Sequence, residues 1–454
     1  MAHGIAAGRS VGAARSNVIH RDLTRTYKTI VRAAGCELWD EEGTRYLDAV
    51  GGAAVVTIGH GVAEITRGLA DHAAQTSYVY GDAFSNPWQE SLATTVLDLL
   101  GISGGVYFVS GGSEANETAI KLARQYHVAR GRPEKYKVMS RWLSYHGVTL
   151  ATLAISGRTS WRTIYSPYLM QVGRVVPPYC YRCPLKLSYP TCGVACADDL
   201  ERAILLEGPE TVSAFIAEPI IGTTVTGVTP VPEYYAKIRQ ICDKYDVLFI
   251  ADEVLTGFGR TGLPFGLQHW DVRADIYTMG KGIGSGYVAL GAVAASDHIL
   301  DAIRNGAGTF VHGFTYSGMP SACFVGTQVA DYLRRHDLFN RAREMGDYLH
   351  EQLHGLAQRH ESIGDVRGMG MLAGVEFVSD PDSRTPFPDS ERIAQRITSE
   401  MEKRGVLVRP GVPGSNYGAG GDHIQISPPY VISEAQIDQI VETLDAAVSV
   451  VTSA

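Results

Sequence analysis

Three short motifs carry residue types that can do chemistry. Gly280-Lys281-Gly282 sets a lysine between glycines, just after the apolar run Ile276–Met279. Flanking glycines leave the amine approachable, and a lysine kept from water gives up its proton readily enough to form a Schiff base. Leu248-Phe249-Ile250-Ala251 runs into Asp252-Glu253. A carboxylate at the end of a buried strand is costly unless it meets a cation, a metal or a protonated ring nitrogen. Ser110-Gly111-Gly112-Ser113 stands between the apolar run Val106–Val109 and a helical pattern through Ala119, Leu122 and Ala123. Exposed amides at such a helix start, with a hydroxyl at the cap, suit a phosphate dianion. Taken singly, each motif also has a plain structural reading: a turn lysine, loop acids, a capped helix.

Spacing removes the common alternatives. A Walker A loop needs its lysine after Gly-x-x-x-x-Gly and before Ser or Thr, and Lys281 precedes Gly282. A dinucleotide fingerprint beginning at Gly280-x-Gly282 would need a third glycine where Ser285 stands. No His/Asp/Glu group at metal spacing lies near Asp252. One cofactor answers all three motifs. Pyridoxal 5'-phosphate (PLP) requires a lysine for its aldehyde, a carboxylate to keep its ring nitrogen protonated, and an anion cup.

Positioning these groups requires strands that end where the motifs begin. Val106–Val109, Lys137–Ser140, Ser213–Ala217 and Val247–Ala251 are apolar runs alternating with helical patterns, which predicts α/β architecture around a largely parallel sheet. Ligand sites in such sheets sit in the loops at the strand ends. Helical patterns dominate from Pro320 to Arg404, followed by a short strand over Gly405–Val408 and a last helix opened by a Ser433/Gln436 capping box with an Ile432/Ile437 staple. The expected division is an N-terminal segment, residues 1–60, packing with the small domain, a large PLP-binding domain over 61–320, and a small α+β domain over 321–454.

Over most of its length the chain resembles the class III (ω-amino-acid type) aminotransferases of fold-type I. The most specific stretch is Asp252-Glu253-Val254-Leu255-Thr256-Gly257-Phe258-Gly259-Arg260-Thr261-Gly262, then Gly280-Lys281-Gly282. The likeness extends from Leu38-Trp39-Asp40 to Pro428-Pro429. The resemblance implies that Lys281 bonds to PLP as a Schiff base and shuttles the substrate proton, and that Asp252 pairs with the ring nitrogen. It implies further that Val254 and Tyr145 pack on the two ring faces, that Glu218 lies beside the ring, and that Gly112 and Ser113 hold the phosphate. Thr315 matches a threonine that completes the phosphate site from a partner subunit, so a homodimer with interfacial active sites is expected. The implied reaction moves an amino group from an amine or ω-amino acid to an oxo acid such as pyruvate or 2-oxoglutarate. A PLP-dependent lyase or a racemase/epimerase on the same scaffold stays open, whereas a binding protein without turnover is disfavoured by the intact Lys281 and Asp252.

An oxo acid brings a carboxylate, best met by a bidentate arginine. Arg409 is the candidate, where the strand over 405–408 meets the glycine-rich loop Gly411 to Gly421; Arg260 is a second, more structural in its turn. Four of the seven cysteines fall in Cys180-x-x-Cys183 and Cys192-x-x-x-Cys196. That spacing admits a zinc tetrad, but buried free thiols are the preferred reading, and no metal is expected. A net charge of −8 without a basic run gives no footprint for nucleic acid or anionic membrane. No stretch is apolar enough to span a bilayer. The first 20 residues carry Arg9 and Arg15 without an acid, faintly like a transit peptide, yet read better as an uncleaved tail. Odd-numbered cysteines without a secretory signal point to a reducing, cytoplasmic setting.

Overall fold

The computed structural model describes residues 16–412 and 420–452. The expectations for the N-terminal tail up to Arg15, and those for most of the glycine-rich loop after Arg409, lie outside them.

A seven-stranded sheet organises the larger part of the chain, in the order Gly104–Val109, Gly291–Ser296, Ile276–Met279, Leu248–Asp252, Val212–Ala217, Lys137–Arg141 and Arg174–Val175. Only Gly291–Ser296 runs against its two neighbours; the other pairings are parallel. The sequence pattern explains why helices cover both faces. Side chains alternate along a strand, so Ala214, Ile216, Leu248 and Ile250 pack with Ala115, Ala119, Leu122 and Ile299 from the helices Gly112–Ala129 and Asp297–Asn305. Phe215, Ala217, Phe249 and Ala251 point the other way, into a second core with Leu200, Tyr235 and Ile238. Continuous apolar runs are what a strand buried on both faces needs.

The C-terminal region is built on helices Pro320–Arg335, Leu338–Ala357 and Ile393–Lys403, as the pattern predicts, but two strands between them, Ile363–Met369 and Leu372–Phe377, form a hairpin that helical periodicity does not reveal. Glycine is the reason. Gly370 turns the chain at φ +55°, and a β-carbon on Gly368 would overlap the Leu372 carbonyl. The hairpin joins Asp422–Ile426 and Arg409–Pro410 in a four-stranded sheet. Val406–Leu407 instead pairs in parallel with Arg45–Asp48, in a separate sheet with Glu37–Asp40 and Ile30–Ala34. The strand expected over 405–408 is thus limited to Val406–Leu407, and the residues just after it, Arg409–Pro410, belong to the other sheet. The last helix, Glu434–Thr452, has its capping box: the Ser433 amide donates to Gln436 Oε1 at 3.1 Å and the Gln436 amide to Ser433 Oγ at 3.3 Å.

Two buried charge clusters tie these parts together. Arg260 is fully buried and donates to the carbonyls of Val56, Met371, Ser427 and Pro428, with its guanidinium 4.7 Å from the Tyr430 ring centroid. Glu376, in the hairpin, is fully buried and receives Arg367, Arg182 and the Tyr179 hydroxyl. It thereby joins the segment that carries the cysteines to the four-stranded sheet of the C-terminal region. Cys180, Cys183, Cys192 and Cys196 line one narrow cavity there, but none of them is buried as expected: Cys180 is exposed and the other three are half-buried, because the loop carrying them runs over the surface. Among the described residues no group of three or more His, Cys, Asp or Glu is arranged to hold a metal ion, and no disulfide is formed.

Candidate active site

Seven residues singled out in the sequence, Gly112, Ser113, Tyr145, Glu218, Asp252, Val254 and Lys281, line one cavity of about 170 Å³, together with Asn116, His146 and Thr223. Each stands at the end of a sheet strand, in the loop that follows one, or at the start of the next element. Lys281 opens a short turn after Ile276–Met279. Its backbone is left-handed, φ +44°, and is held by the amides of Gly284 and Ser285, which donate to its carbonyl at 3.1 and 3.0 Å. A non-glycine residue keeps that conformation only where its surroundings fix it. Burial, then the positive charge of Arg409, pushes the amine down to about 8, so a substantial neutral fraction exists near neutrality.

Asp252 is almost fully buried, and its carboxylate is held on three sides. Asn116 Nδ2 donates at 2.9 Å and His146 Nδ1 lies at 2.7 Å, both to Oδ2, while the Val254 amide donates to Oδ1 at 3.1 Å. Asn116 is fixed in turn: its amide also donates to the His146 carbonyl at 2.7 Å, and its Oδ1 accepts from Thr278 at 2.7 Å. Glu218 accepts from the amides of Tyr145 and Gly222, each at 2.9 Å, and burial raises its carboxyl above the usual range. The neighbouring Glu253 is occupied structurally by Thr256 and the amides of Gly266 and Leu267.

The residues at the start of the helix Gly112–Ala129 and around Gly147 are packed by necessity. A β-carbon on Gly112 would come within 2.7 Å of Val254 Cγ1, and one on Gly147 within 2.6 Å of Ser113 Oγ. These groups suit PLP: an approachable amine without an ion pair, a buried carboxylate with a fixed rim, and a helix N-terminus with a hydroxyl. Chemistry that needs an amine, an electron-sink partner and an anion cup has all three in one cavity.

A family model for class III aminotransferases matches residues 18–448. The chain belongs to the class III aminotransferases. The putrescine–pyruvate aminotransferase of Pseudomonas aeruginosa is 35% identical over 91% of this chain and 89% of its own length. The diaminobutyrate–2-oxoglutarate transaminase of Halomonas elongata is 34% identical, covering 94% and 91%. Among solved structures, an amine transaminase from an uncultivated Pseudomonas species in a PLP-bound form superposes with a TM-score of 0.90 at 34% identity, covering 96% of this chain and 99% of the other. The chain is therefore a fold-type I enzyme, a PLP-dependent transaminase by family.

In this class III aminotransferase three expected site residues lie outside the cavity. Thr315 is exposed and borders a different cavity, with Tyr78, Tyr107 and His312. Arg409 lies in the strand Arg409–Pro410, opposite Gln425, and its charge is felt at Lys281 and Tyr145. Arg260 is fully buried, and its Nη1 and Nη2 are taken up by four backbone carbonyls. Sequence reasoning passed over Asn116 and His146. Asn116 falls one helical turn after Gly112 and His146 directly after Tyr145, so both were within reach of the motifs already marked.

Proposed function

We propose that the Lys281 cavity is the active site and that it moves an amino group from an amine or ω-amino acid to an oxo acid. The observation that carries this is the convergence of Lys281, Asp252 and the Gly112-Ser113 helix start in one cavity. PLP, when bound, supplies the electron sink for breaking a bond at the substrate's amino carbon. Lys281 provides the amine for the cofactor's aldehyde and then carries the proton to and from that carbon. Asp252, braced by Asn116 and His146, holds the ring nitrogen's proton. Val254 and Tyr145 close the two faces, and Ser113 with the amides around Gly112 takes the phosphate. The names of the relatives, which include a putrescine–pyruvate and a diaminobutyrate–2-oxoglutarate enzyme, support amine or diamine donors and an oxo-acid acceptor.

The test is Lys281→Ala. It should abolish transamination while PLP still binds without a covalent link; retained turnover would remove Lys281 from the mechanism. Ammonia released in stoichiometric amount from an amine with no oxo acid present would replace transfer with elimination.

We further propose a homodimer in which Thr315 reaches the partner's phosphate site. Exposed apolar side chains near Thr315, among them Tyr80, Val311 and Tyr316, support a covered surface there. Mixing Thr315→Ala with Lys281→Ala chains should restore partial activity if each heterodimer keeps one intact site. A fully active monomer would overturn the proposal. No described helix is long and apolar enough to cross a membrane, and a cytoplasmic location is the reading that seven cysteines outside any disulfide favour.

A further inference from the structure

Cys180, Cys183, Cys192 and Cys196 take no part in the Lys281 cavity, yet they meet one another. The cavity they line holds about 20 Å³, room for no more than about one water-sized group, so the chemistry open to it is that of the thiols themselves. Burial, then the thiols of Cys183 and Cys192, raises Cys180; burial, then all three other thiols, pushes Cys196 up to about 12. No disulfide joins them, and among the described residues no such group is arranged for a metal ion. One pair is set apart by its backbone. Tyr181 and Arg182 form a turn, and a turn brings its first and fourth residues, here Cys180 and Cys183, within about 7 Å. A disulfide spans about 4.4–6.8 Å between α-carbons. Cys180 is exposed and Cys183 half-buried, so a reagent reaches the first and the second stands behind it.

Packing ties this turn to the Lys281 cavity. Tyr179 and Tyr181 sit against Ile221, Val225 and Val228. The same stretch, 221–228, carries Gly222, whose amide donates to Glu218 Oε2 at 2.9 Å, and Thr223, which lines the cavity. We propose that Cys180 and Cys183 form a reversible disulfide, with a low-molecular-weight disulfide as oxidant, and that its closure loosens the Glu218 side of the cavity. The Cys180 thiolate attacks the small disulfide and releases one small thiol; the Cys183 thiolate then attacks the Cys180 sulfur and releases the second. The two protein thiols give up two electrons and two protons, and the small disulfide becomes two thiols. Arg182 is anchored to Glu376 and to the Arg384 carbonyl, so the turn cannot tighten by moving that residue. The adjustment falls on Tyr179 and Tyr181 and passes through their packing to Gly222 and Glu218. The effect on the cavity rests on its being the active site; the disulfide itself does not.

The experiment equilibrates the full-length holoenzyme with 2-hydroxyethyl disulfide and 2-mercaptoethanol in varied ratio, neither of which carries an amine to react with PLP. Peptide mass mapping should show the peptide holding Cys180 and Cys183 lighter by about 2 Da in the oxidised samples and restored by dithiothreitol. Once the small thiols are removed, the dissociation constant of PLP should be about fivefold or more higher in the oxidised protein, the lower end of coupling between separate sites. Cys180→Ser should lose both responses, whereas Cys192→Ser should keep both. A wild-type chain whose mass never changes, a disulfide mapped to another pair, equal PLP affinity in both states, or one zinc ion per chain after reducing purification would each overturn the proposal. The wild-type mapping needs no variant to fold. Should the Lys281 reading be wrong, Lys281→Ala would keep transaminating while the disulfide still forms; failure of the thiol proposal alone leaves that variant inactive.

Discussion

The depressed Lys281 amine makes a quantitative prediction about how the apoenzyme captures its cofactor. Only the neutral amine attacks an aldehyde. With its midpoint at about 8 rather than the ordinary 10.5, roughly a tenth of the amine is neutral at pH 7, about 300-fold more than an unperturbed lysine would offer. The shift is downward, so the neutral form gains as pH rises through 8, and the gain is complete about a unit and a half above it. Stopped-flow mixing of apoenzyme with PLP, followed at the visible band that appears on condensation, should therefore give a rate that climbs from pH 6 and levels off near pH 9. Arg409 is the largest charge acting on the amine after burial. Removing that charge in Arg409→Met should move the midpoint upward and slow capture at pH 7. A midpoint at 10 or above in the wild-type protein, or one that stays fixed when Arg409 is neutralised, would refute the account.

Asn116→Ala removes a donor from the buried Asp252 carboxylate; cofactor retention on dialysis should weaken by about 1.5–3 kcal/mol, the worth of a hydrogen bond to a charge, and unchanged retention would count against Asp252 as the ring partner. Gly147→Ala places a β-carbon 2.5 Å from Thr152 Oγ1 and 2.6 Å from Ser113 Oγ at φ +138°, so cofactor affinity should fall while the fold, by circular dichroism, stays intact; wild-type affinity would show that Ser113 does not hold the phosphate. Arg260→Met leaves four buried carbonyls without their donor, and denaturant unfolding should show a loss of about 3 kcal/mol or more; a loss below about 1 kcal/mol would mean that those carbonyls find other partners.

Much of the site was legible because its residues sit at the ends of apolar runs, where the fold must put them. Lys281, Asp252, Gly112 and Ser113 are marked by local chemistry, and the family likeness adds Tyr145, Glu218 and Val254; all seven line one cavity. The three residues outside the cavity, Thr315, Arg409 and Arg260, lie elsewhere for different reasons. Thr315 borders another cavity, and Arg409 belongs to a strand pair of the C-terminal region. Arg260 matches the demand for an arginine but is spent on backbone carbonyls from three separate stretches. The hairpin over 363–377 was hidden because its glycines, read locally, look like interruptions in a helical region rather than a tight reversal.

Glu376 has a mechanical meaning for any opening of this enzyme. Its carboxylate gathers Arg367 from its own sheet and Arg182 and Tyr179 from the cysteine-bearing segment. Separating them would strand a buried acid between unpaired cations, a cost comparable to a sizeable part of a domain's net stability. The segment from Tyr179 to Arg182 is therefore bolted to the four-stranded sheet that holds Glu376, and neither can be displaced from the other without breaking that cluster.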